Sequence, residues 1–232
     1  MTKRTVLITG CNRGLGLEMA RQYAADGWQV HACCRHPAQA EDLQALAAQT
    51  PAIKLHTLDI SDDRQITALA QALDGTAIDL LINNAGVYGP KGLALAELDR
   101  QTWQLVLDIN TISPVLLTRA FLPHLLAGEG KKIAFLSSKM GSLDDNTSGG
   151  SYLYRSGKSA LNQMAKSLSI DLAEEGIAVV ALHPGWVLTD MGGPNALITA
   201  QQSVAGMRQV IDQLNADTSG SFIAFDGQLI GW

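Results

Sequence analysis

Seven short apolar runs recur along the chain, and a stretch with helical periodicity separates each run from the next. Their apolar character is continuous rather than alternating, which is typical of strands buried on both faces of a parallel sheet. Right-handed helical crossovers connect such strands. The pattern predicts an α/β fold, a doubly wound sheet of seven parallel strands flanked by helices, with strands at 6–9, 30–34, 53–58, 80–83, 133–137, 179–183 and 222–225.

The stretches between these strands predict seven helices. Ser61-Asp62 supplies a candidate N-cap, while Gly27, Gly128 and Gly176 are candidate stops. The chain has 232 residues, of which 47% are hydrophobic, and it has no linker, repeat or low-complexity tract. A single domain over 1–232 is therefore expected. The helices are expected at 14–26, 38–49, 62–73, 97–112, 114–127, 154–175 and 199–215.

Charge and cysteine usage exclude several classes of protein. The formal charge is −5 and basic pairs occur only at Lys3-Arg4 and Lys131-Lys132, which argues against binding to nucleic acid or to an anionic membrane. Neither a signal sequence nor an uninterrupted apolar segment of about 20 residues is evident. Three cysteines fit a reducing compartment better than a disulfide framework, and no His and Cys spacing matches a metal site. A cytoplasmic protein without a bound metal is expected.

A glycine-rich segment, Thr-Gly-Cys-Asn-Arg-Gly-Leu-Gly over 9–16, joins the first predicted strand to the first predicted helix. Its glycines allow a tight turn and a close approach to a pyrophosphate, which the positive N-terminus of the helix stabilises. The spacing differs from the usual Gly-x-Gly-x-x-Gly fingerprint, and a turn that serves packing alone is the alternative. The strand–loop–helix context favours a Rossmann-type dinucleotide site.

Residues at the ends of the next three strands bear on the choice of cofactor. Arg35 follows the second strand, where an acidic residue would bind the ribose diol of NAD, and Arg13 lies in the glycine-rich segment. Two guanidinium groups favour NADP(H) over NAD(H), although each could be only a surface charge. Asp59 could accept from an adenine amine or could favour a helix N-terminus. Asn-Asn-Ala-Gly at 83–86 ends the fourth strand, at the edge where ligands bind in such sheets.

Tyr154 and Lys158 lie four residues apart in a predicted helix, so both side chains are on one face. A free phenol has a pKa of about 10, and an adjacent ammonium lowers that value by favouring the phenolate. A packed ring beside a solvated amine is the alternative when this spacing stands alone. Tyr152 has no such partner, since Ser156 occupies the equivalent position. Beside a dinucleotide site, the pair of Tyr154 and Lys158 predicts general acid–base chemistry.

Further motifs follow in order along the chain: Asp-Ile-Asn at 108–110, Ser137-Ser138, Tyr-Arg-Ser-Gly-Lys at 154–158 and His-Pro-Gly-Trp-Val-Leu-Thr-Asp at 183–190. With the two motifs above, they span essentially the whole chain. In this order they make the chain resemble the classical short-chain dehydrogenase/reductase family, and in particular its C-factor and sniffer-type carbonyl reductase branch.

The resemblance implies catalytic roles for four residues. Tyr154 would be the general acid in carbonyl reduction, or the base in the reverse direction, and Lys158 would lower its pKa and hold the nicotinamide ribose. Ser138 would hydrogen-bond the substrate oxygen, since the family uses the second of two adjacent serines. Asn110 would hold a water of a proton relay. Ser138 and Tyr154 are farther apart in sequence than is common in the family, which leaves the path of the loop 139–151 open.

The resemblance also implies that 184–189 covers the nicotinamide. With the residues at the ends of the strands, it assigns dinucleotide contacts to Gly10, Asn12, Arg13, Gly14, Leu15, Gly16, Arg35, Asp59, Ile60, Asn84, Ala85, Gly86, Tyr154, Lys158, Pro184, Gly185, Val187 and Thr189. Apolar side chains would then line the substrate site, although such residues also serve ordinary cores. These are Tyr88, Met140, Leu143, Trp186, Met191 and Ile198.

The sequence thus predicts an NADPH-dependent reductase of a small hydrophobic aldehyde or ketone, or the reverse reaction. The segment 192–199 is short for a lid in this family, so an open cleft that tolerates varied substrates is expected. The alternative is an NAD(P)-binding regulatory or signalling protein with little turnover. By the resemblance, helices at 97–127 and 154–175 would form a homodimer interface, with a tetramer as a further option. Gly231-Trp232 could pack at that interface, near the cleft or against the core.

Overall fold

Seven parallel strands form one sheet in the order β3-β2-β1-β4-β5-β6-β7 in the computed structural model, which describes residues 3–232. The chain enters the sheet near its centre, builds one half outward, and returns beside β1 to build the other half. The strands are β1 Thr5–Thr9, β2 Gln29–Cys34, β3 Ile53–Thr57, β4 Leu80–Asn83, β5 Lys132–Leu136, β6 Ala178–His183 and β7 Ser221–Ala224. This topology confirms the predicted doubly wound fold.

The helices lie on both faces of the sheet. Val6 and Ile8 of β1 face one hydrophobic cluster, which includes Met207, while Leu7 faces the other, which includes Phe121. Both faces of β1 are therefore buried, as its continuous apolar sequence predicts. The α-helices are α1 Gly14–Ala25, α2 Glu41–Gln49, α3 Asp63–Ala72, α4 Arg100–Leu107, α5 Ser113–Ala127, α6 Tyr152–Asp171 and α7 Ala200–Gln213.

The edge strand β3 departs from the expected pattern. Only Ile53 is buried, and its other residues are partly or fully exposed, because β3 pairs with β2 alone. Among the helix ends, Asp62 caps α3 by accepting from the backbone N–H of Arg64 at 3.0 Å, as expected. The helix α6 ends at Asp171, so Gly176 lies beyond it in the turn that leads to β6.

A single long helix replaces the two helices predicted at 97–112 and 114–127. It runs from Arg100 to Ala127 and contains a π-helical turn at Asp108–Ile112, where the N–H of Ser113 bonds to the carbonyl of Asp108. Pro114 cannot donate to the carbonyl of Asn110 as an α-helical residue would. A wider turn lets the helix continue past this proline, and such turns occur frequently at functional sites.

This long helix is the one element among residues 3–232 with the length and apolar composition of a membrane span. Leu117, Phe121 and Leu125 account for much of that composition, and all three are completely buried in the cluster that covers one face of the sheet. Packing against the sheet therefore explains the apolar sequence of this helix.

Two histidines from neighbouring strands stack on each other. The rings of His31 in β2 and His56 in β3 are 5.0 Å apart, with ring nitrogens at 2.9 Å. Burial lowers the pKa of His31 to about 4, and the positive charges of His56, Lys54 and His124 act in the same direction. Folding therefore keeps His31 neutral in mildly acidic solution.

The free energy of unfolding should fall by about 2 to 3 kcal/mol as the pH drops from about 6.5 to about 4 because of His31. Over this range the unfolded chain takes up a proton that the folded chain resists. Urea unfolding at pH 7.5 and 4.5 measures the loss, which should be smaller in His31→Gln than in the wild type. The surface variant His36→Gln should behave as the wild type does. An equal loss in all three proteins would contradict the assignment.

Candidate active site

A cleft of about 480 Å³ opens at the carboxyl ends of the strands. It lies between β1 and β4, where the order in which the chain adds strands to the sheet reverses. This is the place where doubly wound sheets bind their ligands, and the volume is that of an ordinary ligand site. The cleft brings together all but two of the predicted dinucleotide contacts. They are Gly10, Asn12, Arg13, Gly14, Leu15, Gly16, Arg35, Asp59, Ile60, Asn84, Ala85, Gly86, Tyr154, Lys158, Pro184 and Thr189.

The two exceptions, Gly185 and Val187, lie beside the cleft and do not line it. Val187 is buried and pairs with Ile198, while Gly185 turns the chain at a φ of 83°. A Cβ at Gly185 would lie 2.7 Å from a methyl group of Ile198. Both residues shape the segment that carries Thr189 to the cleft wall.

The glycine-rich turn is held against β4 by polar contacts. The side chain of Asn84 donates to the carbonyls of Thr9 at 2.7 Å and Gly10 at 3.2 Å. The hydroxyl of Thr9 accepts from the backbone N–H groups of Asn84 and Ala85, each at 3.0 Å. A Cβ at Gly16 would lie 2.2 Å from the Gly10 carbonyl oxygen, so no larger residue fits there.

This turn delivers the N-terminus of α1 to the cleft, since α1 begins at Gly14. Its first N–H groups lack helical partners and carry partial positive charge, which suits a phosphate. The contact between Thr9 and Asn84 was missing from the sequence prediction. The position of Thr9 at the end of β1 was the available signal for it.

The two predicted arginines have different surroundings. Arg13 forms an ion pair with Asp190 at 2.6 Å, and the two side chains are 69% and 73% exposed, respectively. The pair joins the glycine-rich turn to the loop after β6 across the cleft mouth. Arg35 is exposed at the cleft wall. Asp59 holds Ser61 through its backbone N–H and its hydroxyl, at 3.0 and 2.7 Å, and also lines the cleft.

Tyr154 and Lys158 lie on the cleft floor, one turn apart on α6. Lys158 is 4% exposed, donates to the carbonyl of Leu136 at 2.7 Å, and lies 5.8 Å from the centre of the Tyr154 ring. Burial lowers the pKa of Lys158 to about 8. The ammonium is therefore largely charged at neutral pH, at the base of the cleft.

The Tyr154 phenol differs from the sequence expectation. Burial raises the pKa of Tyr154 to about 12, against a smaller lowering by the hydrogen bond with the Ser138 side chain. The ammonium of Lys158 faces the ring instead of the hydroxyl, so it does not outweigh desolvation. At neutral pH the phenol is protonated, which is the form that can donate a proton.

The two adjacent serines point in different directions, as strand alternation predicts. The hydroxyl of Ser137 is 2.5 Å from the side-chain oxygen of Asn162 in α6 and is buried. Ser138 is only partly buried; its hydroxyl accepts from the N–H of Met140 at 3.2 Å and is close enough to Tyr154 to lower the pKa of the phenol. Of the two serines, Ser138 is the one that acts on the phenol, whereas Ser137 lines the cleft and pairs with Asn162.

Asn110 lies completely buried in the π-helical turn. Its side chain accepts from the N–H of Val87 at 2.9 Å and donates to the carbonyl of the same residue at 2.7 Å. A Cβ at Gly86 would be 2.9 Å from the Asn110 side-chain oxygen and 3.5 Å from the Lys158 nitrogen. Asn110 thus fixes the loop after β4 directly above Lys158, a role that the sequence alone did not indicate.

Aromatic and apolar side chains surround the phenol. The ring of Tyr88 stacks on that of Tyr154 at 4.5 Å, and its hydroxyl contacts Ser151 at 2.9 Å and the sulfur of Met140 at 3.8 Å. Trp186 is half exposed and donates its indole N–H to the carbonyl of Gly192 at 2.8 Å. Leu188 and Met191 are exposed and line the cleft, whereas Leu143, predicted as a wall residue, is exposed and does not line it.

Within residues 3–232, no group of three or more His, Cys, Asp or Glu side chains is arranged to hold a metal ion. The chemistry available in the cleft is that of a buried phenol, a serine hydroxyl and an ammonium.

Comparison with known proteins gives a consistent picture. A family model described as "short chain dehydrogenase" matches residues 4–200. The C-signal protein of Myxococcus xanthus is 47% identical over 155 residues, which are 67% of this chain and 93% of that protein.

Solved structures agree with the whole fold. The carbonyl reductase Sniffer of Drosophila melanogaster and the NADPH-bound carbonyl reductase from chicken fatty liver each superpose with a TM-score of 0.93 at 35% identity. In both comparisons, 100% of each chain is covered. From the matched motifs, the fold and these similarities, we conclude that the chain belongs to the short-chain dehydrogenase family and is an oxidoreductase of that family.

Proposed function

We propose that this protein is an NADPH-dependent carbonyl reductase. The observation that carries the proposal is the buried, protonated Tyr154, close to Ser138 and one helical turn from the ammonium of Lys158, on the floor of the cleft. The description of one similar structure as an NADPH-bound carbonyl reductase supports the same activity.

The cleft fits a dinucleotide. Gly16 and Gly10 form a cradle that a Cβ would fill, and the N-terminus of α1 stands behind it. Arg13 and Arg35 line the same cleft and would hold a 2′-phosphate through charge-assisted hydrogen bonds. When bound, the nicotinamide would supply the hydride.

Residues of the chain would donate the proton and would stabilise the negative charge that develops on the carbonyl oxygen. Tyr154 donates its phenolic proton to the carbonyl oxygen as the alkoxide develops, and Ser138 donates a second hydrogen bond to the same oxygen. Lys158, charged below pH 8 or so, stabilises the phenolate that remains. Burial of both groups strengthens this interaction because the local dielectric constant is low.

The substrate side of the cleft favours an apolar carbonyl compound. Tyr88 provides an aromatic wall, and the exposed Trp186, Leu188 and Met191 provide an apolar rim. Assays of NADPH oxidation with a panel of aliphatic and aromatic aldehydes and ketones test the proposal. We expect turnover of several hydrophobic members, as an open cleft implies. Absence of turnover across the whole panel in both directions would refute the proposed reaction.

Replacing Arg13 by Ala should weaken binding of NADPH by roughly fivefold to 50-fold, because an arginine–phosphate contact contributes about 1.5 to 3 kcal/mol and the ion pair with Asp190 that it replaces offsets up to about 1 kcal/mol. Binding of NADH should change by less than about threefold, since NADH lacks the 2′-phosphate. Fluorescence titration of both cofactors measures the change. Arg64→Ala, on the outside of α3, is the control and should bind both cofactors as the wild type does. Equal weakening of NADPH and NADH would remove Arg13 from the 2′-phosphate site.

A second candidate function is that of a dinucleotide-dependent signalling protein, which the name and the 47% identity of the C-signal protein favour. The two candidates differ in turnover. A sensor would bind NADPH but would not oxidise it at a steady rate with any of the carbonyl compounds tested. Steady-state rates in the panel described above separate them.

We further propose a cytoplasmic homodimer. Leu105, Ile112 and Ile170 are exposed apolar residues on the long helix and on α6, the helices expected at the interface. Light scattering of the wild type and of Ile112→Glu tests the dimer.

A further inference from the structure

The last residues of the chain are bound to the loop that follows Ser138. The main-chain oxygen of Trp232 accepts from the N–H groups of Leu143 at 2.6 Å and Asp144 at 3.3 Å. The buried hydroxyl of Ser142 contacts the main-chain oxygens of Gly231 at 2.7 Å and Trp232 at 3.2 Å. Residues 231–232 therefore occupy most of the hydrogen-bonding groups at 142–144.

The side chain of Trp232 anchors this segment to the sheet. Its ring stacks on that of Phe222 in β7 at 5.7 Å, and Phe222 is buried. The N–H of Ile230 donates to the carbonyl of Phe222 at 2.8 Å, which fixes the same segment through the backbone. A rigid strand thus holds residues 230–232 in place.

Other elements hold the two ends of the loop and leave its middle, residues 142–145, to the segment 231–232. The carbonyl of Gly141 accepts from Ser159 at 2.9 Å and from Asn162 at 3.3 Å, both in α6. The N–H of Lys139 donates to the ring of His183 at 3.2 Å.

Arg155 of α6 donates to the carbonyl of Met140 at 3.2 Å and to the hydroxyl of Ser148 at 2.9 Å, and Tyr88 contacts Ser151 at 2.9 Å. Between these two ends, the hydrogen bonds from residues 142–145 to other parts of the described chain go to residues 231–232. The Lys139–Asp145 ion pair, at 3.0 Å, ties the loop only to itself.

The loop contacts the reacting phenol indirectly, through Tyr88. Met140 contacts the hydroxyl of Tyr88, whose ring stacks on Tyr154 at 4.5 Å. Leu143, exposed on the outer part of the loop, is bonded through its N–H to Trp232. A shift of the loop would move the apolar wall and loosen the stack on Tyr154 while leaving the dinucleotide end of the cleft untouched.

We propose that Trp232 is a positioning residue that fixes the loop 140–145 as the outer wall of the substrate site, and so determines how well bulky carbonyl substrates bind. The inference rests on the proposed function. It places a determinant of substrate binding about 90 residues away in sequence from the wall that it shapes.

The test compares Trp232→Ala with Trp232→Phe. Trp232→Ala removes the ring stack that holds the main-chain oxygens of 231–232 against the loop. We therefore expect KM for a bulky aromatic ketone to rise about fivefold to tenfold, as the weakening of one or two hydrogen bonds implies. The kcat for a small aldehyde and the Kd for NADPH should stay within about twofold. Trp232→Phe keeps the ring stack and should restore KM. Leu229→Ala, on the same segment with its side chain 76% exposed, should resemble the wild type.

Equal changes for bulky and small substrates, or no change in KM, would overturn the inference. Should Trp232→Ala fail to fold, Ser142→Ala removes the hydroxyl that contacts residues 231–232 and accepts from the N–H of Asp145, and it should raise the same KM. Hydrogen exchange gives a readout independent of activity: the amides of Leu143 and Asp144 should exchange at least about fivefold faster in Trp232→Ala, and that of Lys139 should not. Faster exchange in a protein that reduces no carbonyl would sustain the positioning of the loop and refute only the proposed reaction.

Discussion

Carbonyl reduction should slow roughly a thousandfold when Tyr154 is replaced by Phe, with NADPH binding retained. General acid catalysis contributes about 10² to 10⁴ in rate, and in the proposed reaction the phenol of Tyr154 donates the proton. The substitution removes one oxygen and leaves the ring stacked on Tyr88, so folding should be preserved. The decrease should appear in kcat, because the lost interaction forms only as the alkoxide develops.

Tyr152 provides the matched control. It lies two residues earlier on α6, is 39% exposed, and does not line the main cleft. Tyr152→Phe should retain wild-type kcat and KM. A Tyr154→Phe protein with more than about a tenth of the wild-type kcat would show that another group delivers the proton.

The second large effect is expected from Gly16→Ala, which should abolish measurable cofactor binding. The new methyl group would lie 2.2 Å from the Gly10 carbonyl and 2.6 Å from the Asn84 side chain, far inside van der Waals contact. The turn has to move to accept it, and that movement breaks the contacts that join β1 to β4. We expect the free energy of unfolding to fall by about 2 kcal/mol or more, as overpacked sites do.

Gly27→Ala separates this effect from ordinary backbone strain. Gly27 has a φ of 81° just after α1, and a Cβ there meets nothing within 4 Å. Its replacement should cost about 1 kcal/mol of stability and leave the Kd for NADPH unchanged. Urea unfolding and cofactor titration of both variants measure the two quantities. Wild-type cofactor affinity in Gly16→Ala would contradict the close-packed turn.

The strands and the glycine-rich end of the cleft could be predicted from the sequence because local patterns determine them. A continuous apolar run such as that of β1 implies burial on both faces, and a glycine-rich turn before a helix implies close approach of a ligand. Edge position is not local, so the exposure of β3 was not predictable from its apolar residues. The same limit applies to the long helix, which the sequence prediction divided between 112 and 114 and which the π-helical turn keeps continuous.

Contacts between distant segments were also beyond sequence patterns. Nothing within 9–16 indicates that Arg13 pairs with Asp190, and nothing near 139–145 indicates that Trp232 holds the loop. The pKa of Tyr154 required knowledge of burial. The spacing to Lys158 indicated a lowered value, whereas desolvation dominates and raises it.

The ion pair between Arg13 and Asp190 has a consequence for how the cleft admits an anion. The charges of Arg13 and Asp190 largely cancel at the entrance of the cleft. An approaching phosphate is therefore attracted less strongly by this pair than it would be by an unpaired arginine. Capture then becomes an exchange of one anionic partner of Arg13 for another. Because dissolved ions screen the contact that is lost as well as the contact that is gained, affinity for a 2′-phosphate should depend on ionic strength less steeply than two unpaired arginines would imply.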